Sequence, residues 1–507
     1  MNERSIVRGH FTRKNLKDSI SDYIQEVQDL YLQDSIPWVI GYSGGKDSSA
    51  VLQLVWIAIE ALPKEKRSKE VHVITTDTLV ENPVVSRWVI NSLNRMEANA
   101  KQKELPISTH LLTPDVESTF WVNLLGRGYP APRNNFRWCT DRLKIKPSNT
   151  YIKELVKKHG EAILLLGMRK AESSARAAVM NRYEERQVRD RLNPSSTLPN
   201  CLIYPLIGEW TNDDVWLFLL QYQNPWGHDN KDLLSMYSGA TADGECPIVV
   251  DTSTPSCGNS RFGCWVCTLV EKDKSMGAMI KNDFEKEWML PLIEFRNLLD
   301  FRTEEDRARD RERRDFRRAS GAVVASRDGA PVPGPYTQDA RADLLRKLLD
   351  TQKEARELAP ESMKQIELIT IAELDRIREI WVMEKNEIED LVPKIYQEVN
   401  GCGYPGKALG NKVVIDEDEL ELLRSMADDT ETYELMRNLM NIEYQHMQYV
   451  RRPGLFEKIK DTLKKYSVEN RDEAVEIASA KFKVKKLLES LEGEFDESII
   501  NELGDLK

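Results

Sequence analysis

Two stretches of this sequence carry side chains whose types and spacing suit chemistry. The first is Ser43-Gly44-Gly45-Lys46-Asp47-Ser48. Small residues let backbone N–H groups approach an anion, serine hydroxyls add donors, and Lys46 supplies a cation. Asp47 is misplaced in a site for phosphate alone, but it suits a carboxylate holding Mg²⁺ on a pyrophosphate. The Gly-x4-Gly-Lys-(Ser/Thr) order of a Walker A loop is absent. A glycine turn that merely starts a helix would explain a bare Ser-Gly-Gly; it accounts poorly for all six residues. The second stretch holds Cys246, Cys257, Cys264 and Cys267, spaced C-x10-C-x6-C-x2-C. A C-x2-C pair places two thiolates on one ion or cluster, and two more cysteines complete four ligands. The spacing fits zinc and iron–sulfur equally. No histidine lies within the cluster, and the chain has only 6.

These residues need elements to hold them. IPWVIGYS (36–43) is short, apolar and β-branched, and SSAVLQLVWIAIEAL (48–62) has apolar residues at helical spacing. The phosphate loop therefore joins a strand to a helix. VHVITTDT (71–78), a helical PVVSRWVINSLNRMEANAKQ, ISTHLLTP (107–114), a helical SNTYIKELVKKHG and AILLLGMR (162–169) continue the alternation. Strand and helix in turn predict an α/β fold: a parallel sheet with helices on both faces. Ligands of such sheets bind at the carboxyl ends of the strands, near a topological switch point. Composition suggests four segments: an α/β domain over 1–230, a cysteine-cluster region over 231–318, a linker or loop over 319–336, and a helical domain over 337–507.

Further segments sharpen the comparison. Asp77 ends the second strand. Gly167-Met168-Arg169-Lys170-Ala171-Glu172-Ser173 follows the fourth. Tyr204-Pro205-Leu206 precedes Glu209-Trp210-Thr211 and Asp214-Val215-Trp216. With the phosphate loop, these resemble the PP-loop ATP pyrophosphatase family, which is adenine nucleotide alpha hydrolase-like in fold. They resemble its branch of phosphoadenylylsulfate (PAPS) reductases in particular. The resemblance implies that Ser43, Gly44, Gly45, Lys46, Asp47, Ser48, Asp77, Gly167 and Arg169 bind ATP, with Lys46, Asp47 and Arg169 acting in catalysis. Each segment also has a plainer reading. Asp77 could cap a strand end, Arg169 and Glu172 could be a surface i,i+3 pair, and Trp210, Val215 and Trp216 read as core. Thr211 before three acidic or amide residues reads as a helix N-cap.

Arg137-Trp138-Cys139-Thr140-Asp141-Arg142-Leu143-Lys144 resembles the C-C-x-x-R-K segment of iron–sulfur adenylylsulfate reductases, with Trp138 at the first cysteine's place. That resemblance implies a 4Fe-4S cluster rather than zinc, with Cys139 as an alternative ligand to one of the four clustered cysteines. It also sets Cys139 at the mouth of the nucleotide site, where the thiol would be catalytic as a sulfur carrier. Arg133, Arg137, Arg142 and Lys144 nearby lead one to expect a stabilised thiolate. Cys201 and Cys402 read as plain buried or surface residues. The Glu-Cys-Gly-(Ile/Leu)-His segment with which PAPS reductases reduce sulfate is not found.

Taken together, the motifs resemble the DndC family of sulfurtransferases from bacterial DNA phosphorothioation systems. The resemblance is motif-based over 43–267 and rests on length and helical character beyond about residue 318. It implies an enzyme that uses ATP and Mg²⁺ to adenylylate the DNA backbone, releases pyrophosphate, and inserts sulfur for a non-bridging oxygen. Its implied partners are DNA, a cysteine desulfurase as sulfur donor, and the companion proteins DndD and DndE. Other readings are an adenylylsulfate or PAPS reductase, a tRNA thiolase, and a non-catalytic nucleotide-binding scaffold. A formal net charge of −11 argues against a chain coated in nucleic acid, though a local basic face could still bind a phosphate backbone. The arginines of 302–318 alternate with acids and read better as an ion-paired helix face. The polar N-terminal segment and the lack of any apolar run near 20 residues predict a cytoplasmic protein with no membrane segment.

Overall fold

The computed structural model describes residues 11, 15–134, 136–185, 189, 191–240, 262–326, 329–409, 417–447, 451–468 and 470–491. They fall into two compact units that do not follow chain order. The first comprises Met1–Phe120, Pro132–Leu299 and Thr351–Leu368; the second comprises Trp121–Ala131, Asp300–Asp350 and Ile369–Lys507.

The first unit is built on a six-stranded sheet. In chain order it contains α1 (Leu16–Gln33), β1 (Trp38–Gly41), α2 (Lys46–Glu60), β2 (Val71–Thr76), α3 (Pro83–Gln102), β3 (Ile107–Leu112), α4 (Lys146–His159) and β4 (Ala162–Leu165). It continues with α5 (Ser174–Glu184), β5 (Asn193–Pro194), β6 (Cys201–Tyr204), α6 (Asn212–Gln221), α7 (Asn230–Gly239), α8 (Lys274–Asn282) and α9 (Leu290–Leu298). The strand order is β3-β2-β1-β4-β6-β5. All neighbours run parallel except the two-residue β5, which is antiparallel to β6. Four of the strands coincide with the apolar runs read from sequence, each shortened because the run continues into a loop. The sequence reading named no strand at β6. Its four residues, CLIY, gain strand character by pairing with β4, Ala162 opposite Cys201, and with β5, Asn193 opposite Ile203.

Side-chain period in a strand is two, and the sheet uses both faces. Trp38, Ile40, Val71, Val73, Ile163 and Leu165 point into one apolar cluster with residues of α1, α2, α3, α6 and α7. Val39, Ile74, Ala162, Leu164 and Cys201 point into the opposite cluster, covered by Ile152 and Leu155 of α4. A sheet buried on both faces explains why its strands read as continuous apolar runs rather than alternating ones.

The second unit is helical, as expected of the C-terminal part. It contains α10 (Glu304–Glu312), most of α11 (Gln338–Leu358), α12 (Ile371–Glu379), α13 (Leu391–Asn400), α14 (Glu417–Met426), α15 (Thr430–Met447), α16 (Leu455–Lys465) and α17 (Arg471–Leu491). Its interior is partly polar. Arg341 and Glu387, both buried, form a bidentate pair beneath the Trp381 ring. The arginines of α10 and the turn after it are ion-paired as the charge pattern predicted: Arg309 to Asp306 at 2.8 Å, Arg314 to Asp310 at 3.3 Å and Arg317 to Asp315 at 3.1 Å. No helix among the described residues is long and apolar enough to cross a membrane.

Candidate active site

β1 lies between β2 and β4, so the chain moves one way from β1 through β2 to β3 and then crosses to the other side for β4. The loops after β1 and β4 diverge from this switch point. Between them opens a cleft of about 1030 Å³, lined by Ser43, Gly45, Lys46, Asp47, Ser48, Asp77, Gly167 and Arg169 among others. The residues expected to bind ATP line this cleft, Asp77 from the loop after β2, except Gly44, which is not a lining residue.

Local geometry explains the glycines. Gly44 has φ +74°, and a Cβ there would lie 2.4 Å from Val89 Cγ2 of α3. A Cβ on Gly167 would lie 2.8 Å from the backbone carbon of Asp47 and 2.9 Å from the Ser48 nitrogen, so the β4 loop can close on the phosphate loop only without a side chain. Helix α2 starts at Lys46 with Gly45 as its N-cap and no side-chain cap. The Asp47 and Ser48 amides therefore meet no capping side chain, the arrangement that receives anions, while the Lys46 amide is taken by a distant residue. The Ser48 hydroxyl ties the loop internally: it donates to Gly45 O at 3.0 Å and accepts the Ser43 N–H at 3.2 Å. Trp88 Nε1 of α3 donates to Gly44 O from behind at 3.2 Å.

The charges form a chain. Asp47 receives Lys46 Nζ on one carboxylate oxygen at 3.0 Å and Arg169 Nε on the other at 2.7 Å. Both cations are buried, with Arg169 only 4% exposed. The Arg169 guanidinium also donates to Trp210 O at 3.4 Å. Glu172 does not pair with that guanidinium. Its carboxylate accepts the Arg169 backbone N–H at 3.2 Å, and it pairs with Arg176 at 3.4 Å. The surface i,i+3 reading of Arg169 and Glu172 therefore gives way to a buried tie across the cleft. Asp77 accepts the Leu79 N–H at 2.8 Å, and burial raises its carboxyl above the usual range. Trp210, Val215 and Trp216 are wholly buried core, and Thr211 caps α6 through a reciprocal box with Asp214, as the sequence suggested.

Some lining residues have no counterpart in the motifs. Tyr237 of α7 lies 191 residues from Lys46, yet its hydroxyl accepts the Lys46 N–H at 3.2 Å. Glu81 and Lys144 pair at 3.2 Å on the lip. No local pattern marks Tyr237 or Glu81, which join the cleft only through the fold, whereas Lys144 ends the Arg137–Lys144 segment singled out in the sequence.

Lys144 and Glu81 also border the cysteines. Cys264 faces the loop after β2: Trp265 N donates to Val80 O at 3.0 Å, and Asn82 N to Gly263 O at 3.2 Å. The Cys264 thiol lies 3.4 Å from the Thr78 hydroxyl and 3.7 Å from Glu81 Oε1. Burial pushes it up to about 12, with the Glu81 charge adding to the effect. Cys267 closes the C-x2-C turn by donating its N–H to Cys264 O at 3.1 Å, and the buried Arg296 donates to Cys267 O at 3.0 Å. Cys139 belongs to the same neighbourhood, since Cys267 acts on it electrostatically. It does not line the cleft. Cys246 and Cys257 lie outside the described residues. Among the described residues no group of three or more His, Cys, Asp or Glu is disposed to hold a metal ion.

The expected thiolate at Cys139 is overturned. Burial raises the thiol, and nearby cations do not outweigh it. Lys144 is paired with Glu81 at 3.2 Å, which offsets its charge, and burial is the largest influence on the thiol. Cys201 is buried in β6 and Cys402 is exposed, as expected.

Residues 37–269 match the family described as the phosphoadenosine phosphosulfate reductase domain. An uncharacterized protein of Methanocaldococcus jannaschii is 25% identical over 264 residues, 52% of this chain and 42% of that protein. The match thus spans less than half of that relative. Among solved structures, a phosphoadenylyl-sulfate reductase of Candida auris in a phosphate complex shares 12% identity with a TM-score of 0.25, covering 42% of this chain and 87% of the other. The U34-tRNA thiolase NcsA of Methanococcus maripaludis, solved with its 4Fe-4S cluster, shares 14% identity with a TM-score of 0.27, covering 44% and 72%. At those scores the fold rests on the strand order above. The chain carries a PAPS reductase-like nucleotide-binding domain.

Proposed function

We propose that this chain is an ATP-dependent sulfurtransferase of the DNA phosphorothioation type. The observation that carries this reading is the Lys46–Asp47–Arg169 chain on an uncapped helix N-terminus, with the Cys264–Cys267 turn joined to the cleft's lip through Glu81 and Lys144. In the proposed reaction a DNA phosphate oxygen attacks the α-phosphorus of ATP. The new P–O bond forms as the α–β bond breaks, and pyrophosphate leaves. A persulfide sulfur then attacks the activated DNA phosphorus, the P–S bond forming as the P–O bond to AMP breaks, and a second thiol cleaves the S–S bond, leaving the sulfur on DNA and a disulfide behind. Without the first step the oxygen is a poor leaving group.

The chain's own residues would stabilise charge on the departing pyrophosphate. The Asp47 and Ser48 amides of α2 would face it, and Lys46 and Arg169 bring two cations already positioned before substrate arrives. Asp47 and Asp77 line the cleft with the hard oxygen donors that Mg²⁺ takes, and a carboxyl raised by burial gains from a cation beside it. Bound Mg²⁺ would supply charge neutralisation on the phosphates. Cys264 and Cys267 would hold an iron–sulfur cluster together with Cys246 and Cys257, or with Cys139 in place of one. DNA, a cysteine desulfurase, DndD and DndE are the partners this reading requires.

The test is product analysis with purified chain, Mg²⁺, ATP, a cysteine desulfurase with cysteine, and DNA. AMP and pyrophosphate with labelled sulfur in DNA are expected. ADP and orthophosphate would sink the PP-loop chemistry. Labelled sulfur in tRNA and not DNA would make the chain a tRNA thiolase. Sulfite from adenylylsulfate or PAPS would make it a reductase, the reading closest to the matched family's description.

A further inference from the structure

The amide of Lys46 belongs to the first turn of α2 and would ordinarily be free to meet an anion. In this structure it is handed to the phenol oxygen of Tyr237 at 3.2 Å. That hydroxyl accepts one hydrogen bond and keeps its own proton. Among the described residues no acceptor lies within hydrogen-bond reach of that proton, and Tyr237 lines the cleft. The side chain is 7% exposed. A buried O–H donor aimed into a cleft is a costly feature unless something there accepts the bond.

The placement is built rather than incidental. At its N-terminal end α7 is bolted to α2: Asn230 Nδ2 donates to Gln53 Oε1 at 3.1 Å and to Leu219 O at 2.6 Å. Gln53 is wholly buried and donates in turn to Tyr222 O at 3.0 Å. Two turns later the Tyr237 ring is held edge-on by Trp216, with centroids 5.3 Å apart, and by Phe262 at 4.9 Å. Its face carries the Lys46 ammonium at 5.6 Å. The loop is shaped to match, since a Cβ on Gly45 would lie only 3.1 Å from the phenol oxygen. Burial raises the phenol well above its ordinary range, so it stays a neutral donor at any pH the protein would meet.

We propose that Tyr237 is a phosphate-binding residue: its hydroxyl takes the Lys46 amide hydrogen bond and passes a donor on to an oxygen of the pyrophosphate portion of the nucleotide. The proposal rests on the reading of the cleft as an ATP site and extends that site to a residue no motif marks. It explains why Gly45 precedes Lys46, because any larger side chain would push the phenol away from the amide. It also explains why α7 is tied so firmly to α2, because a relayed hydrogen bond needs both its donor and its acceptor held in place.

The experiment is calorimetric titration of the full chain with inorganic pyrophosphate and Mg²⁺, for wild type, Tyr237→Phe and Leu30→Ala. Tyr237→Phe removes only the hydroxyl and should weaken pyrophosphate binding at least about tenfold, as loss of a hydrogen bond to a charged group does. Its melting temperature should stay close to wild type. Leu30→Ala opens the core at α1 and leaves the supports of Tyr237 in place; it should melt lower and hold its pyrophosphate affinity within about twofold. Unchanged affinity in Tyr237→Phe would overturn the proposal while wild-type ATP cleavage left the nucleotide site standing. Equal losses in the two variants would reduce Tyr237 to a packing residue and overturn it as well. Failure of the wild type to bind pyrophosphate would remove both the proposal and the reading beneath it.

Discussion

At the scale of single residues, the cleft holds its charges in a strict sequence of ties. Asp47 bridges Lys46 and Arg169, so one carboxylate positions both cations that would face a departing pyrophosphate. Lys46→Ala should therefore slow ATP cleavage at least about tenfold, roughly 1.4 kcal/mol of transition-state stabilisation, read as pyrophosphate release at saturating ATP. A loss of less than twofold would remove Lys46 from the chemistry. The cysteines call for a different argument. Burial favours the neutral thiol at Cys139 and Cys264, whereas Cys402 is exposed. Iodoacetamide at neutral pH should label Cys402 at least about tenfold faster than either, by mass spectrometry of timed quenches. Cys139→Ser should keep ATP cleavage and lose sulfur transfer. Its iron content then separates the roles, since full iron marks a sulfur carrier and lost iron a ligand. Retained sulfur transfer would show that neither role is essential.

At the scale of elements, the sheet's amino-terminal half carries a polar inclusion on the face that α4 covers. His72 Nδ1 lies 3.2 Å from His110 Nε2 and 3.0 Å from the Tyr151 hydroxyl of α4. Ser108 lies 2.9 Å from His110, and Glu70 faces both His72 at 3.3 Å and His159 at 3.6 Å. Burial lowers the pKa of both His72 and His110 below the ordinary 6.5, and their mutual repulsion adds to the effect at His72. The folded state thus binds fewer protons than the unfolded chain once pH falls below about 6.5. Stability should be level from pH 8 to 7 and decline from about pH 6.5 downward. In urea titrations His72→Gln should show a shallower decline than wild type over that window. Parallel declines would mean that the pair titrates freely and α4 is indifferent to it.

At the scale of the whole molecule, charge decides what the chain can touch. Its formal net charge is −11, and Arg307 and Arg309 of α10 are neutralised by acids one turn away. Such a face offers few unpaired cations to a phosphate backbone, and DNA affinity follows the number of phosphates neutralised. Arg307→Ala and Arg309→Ala together should change DNA affinity by less than about twofold at 0.1 M salt, read by fluorescence anisotropy. A tenfold loss would make α10 the nucleic-acid face after all.

Much of the site could be read from the chain alone. The order of apolar runs and helical patterns specified a parallel sheet, because a strand buried on both faces must be apolar throughout. The Ser43-Gly44-Gly45-Lys46-Asp47-Ser48 stretch declared an anion loop, because glycine and first-turn amides are local properties. Thr211 announced its helix for the same reason. What remained hidden depends on contacts between distant segments. Whether Arg169 pairs with Glu172 or with Asp47 turned on Gly167, whose missing side chain lets the β4 loop reach the phosphate loop. The Cys139 thiol looked cationic in its surroundings, and burial, a property of the assembled fold, reversed that. Tyr237 meets Lys46 across 191 residues, and no pattern along a chain records such a meeting. Local backbone geometry and side-chain type are written in sequence; desolvation and partnership are set only when the elements pack.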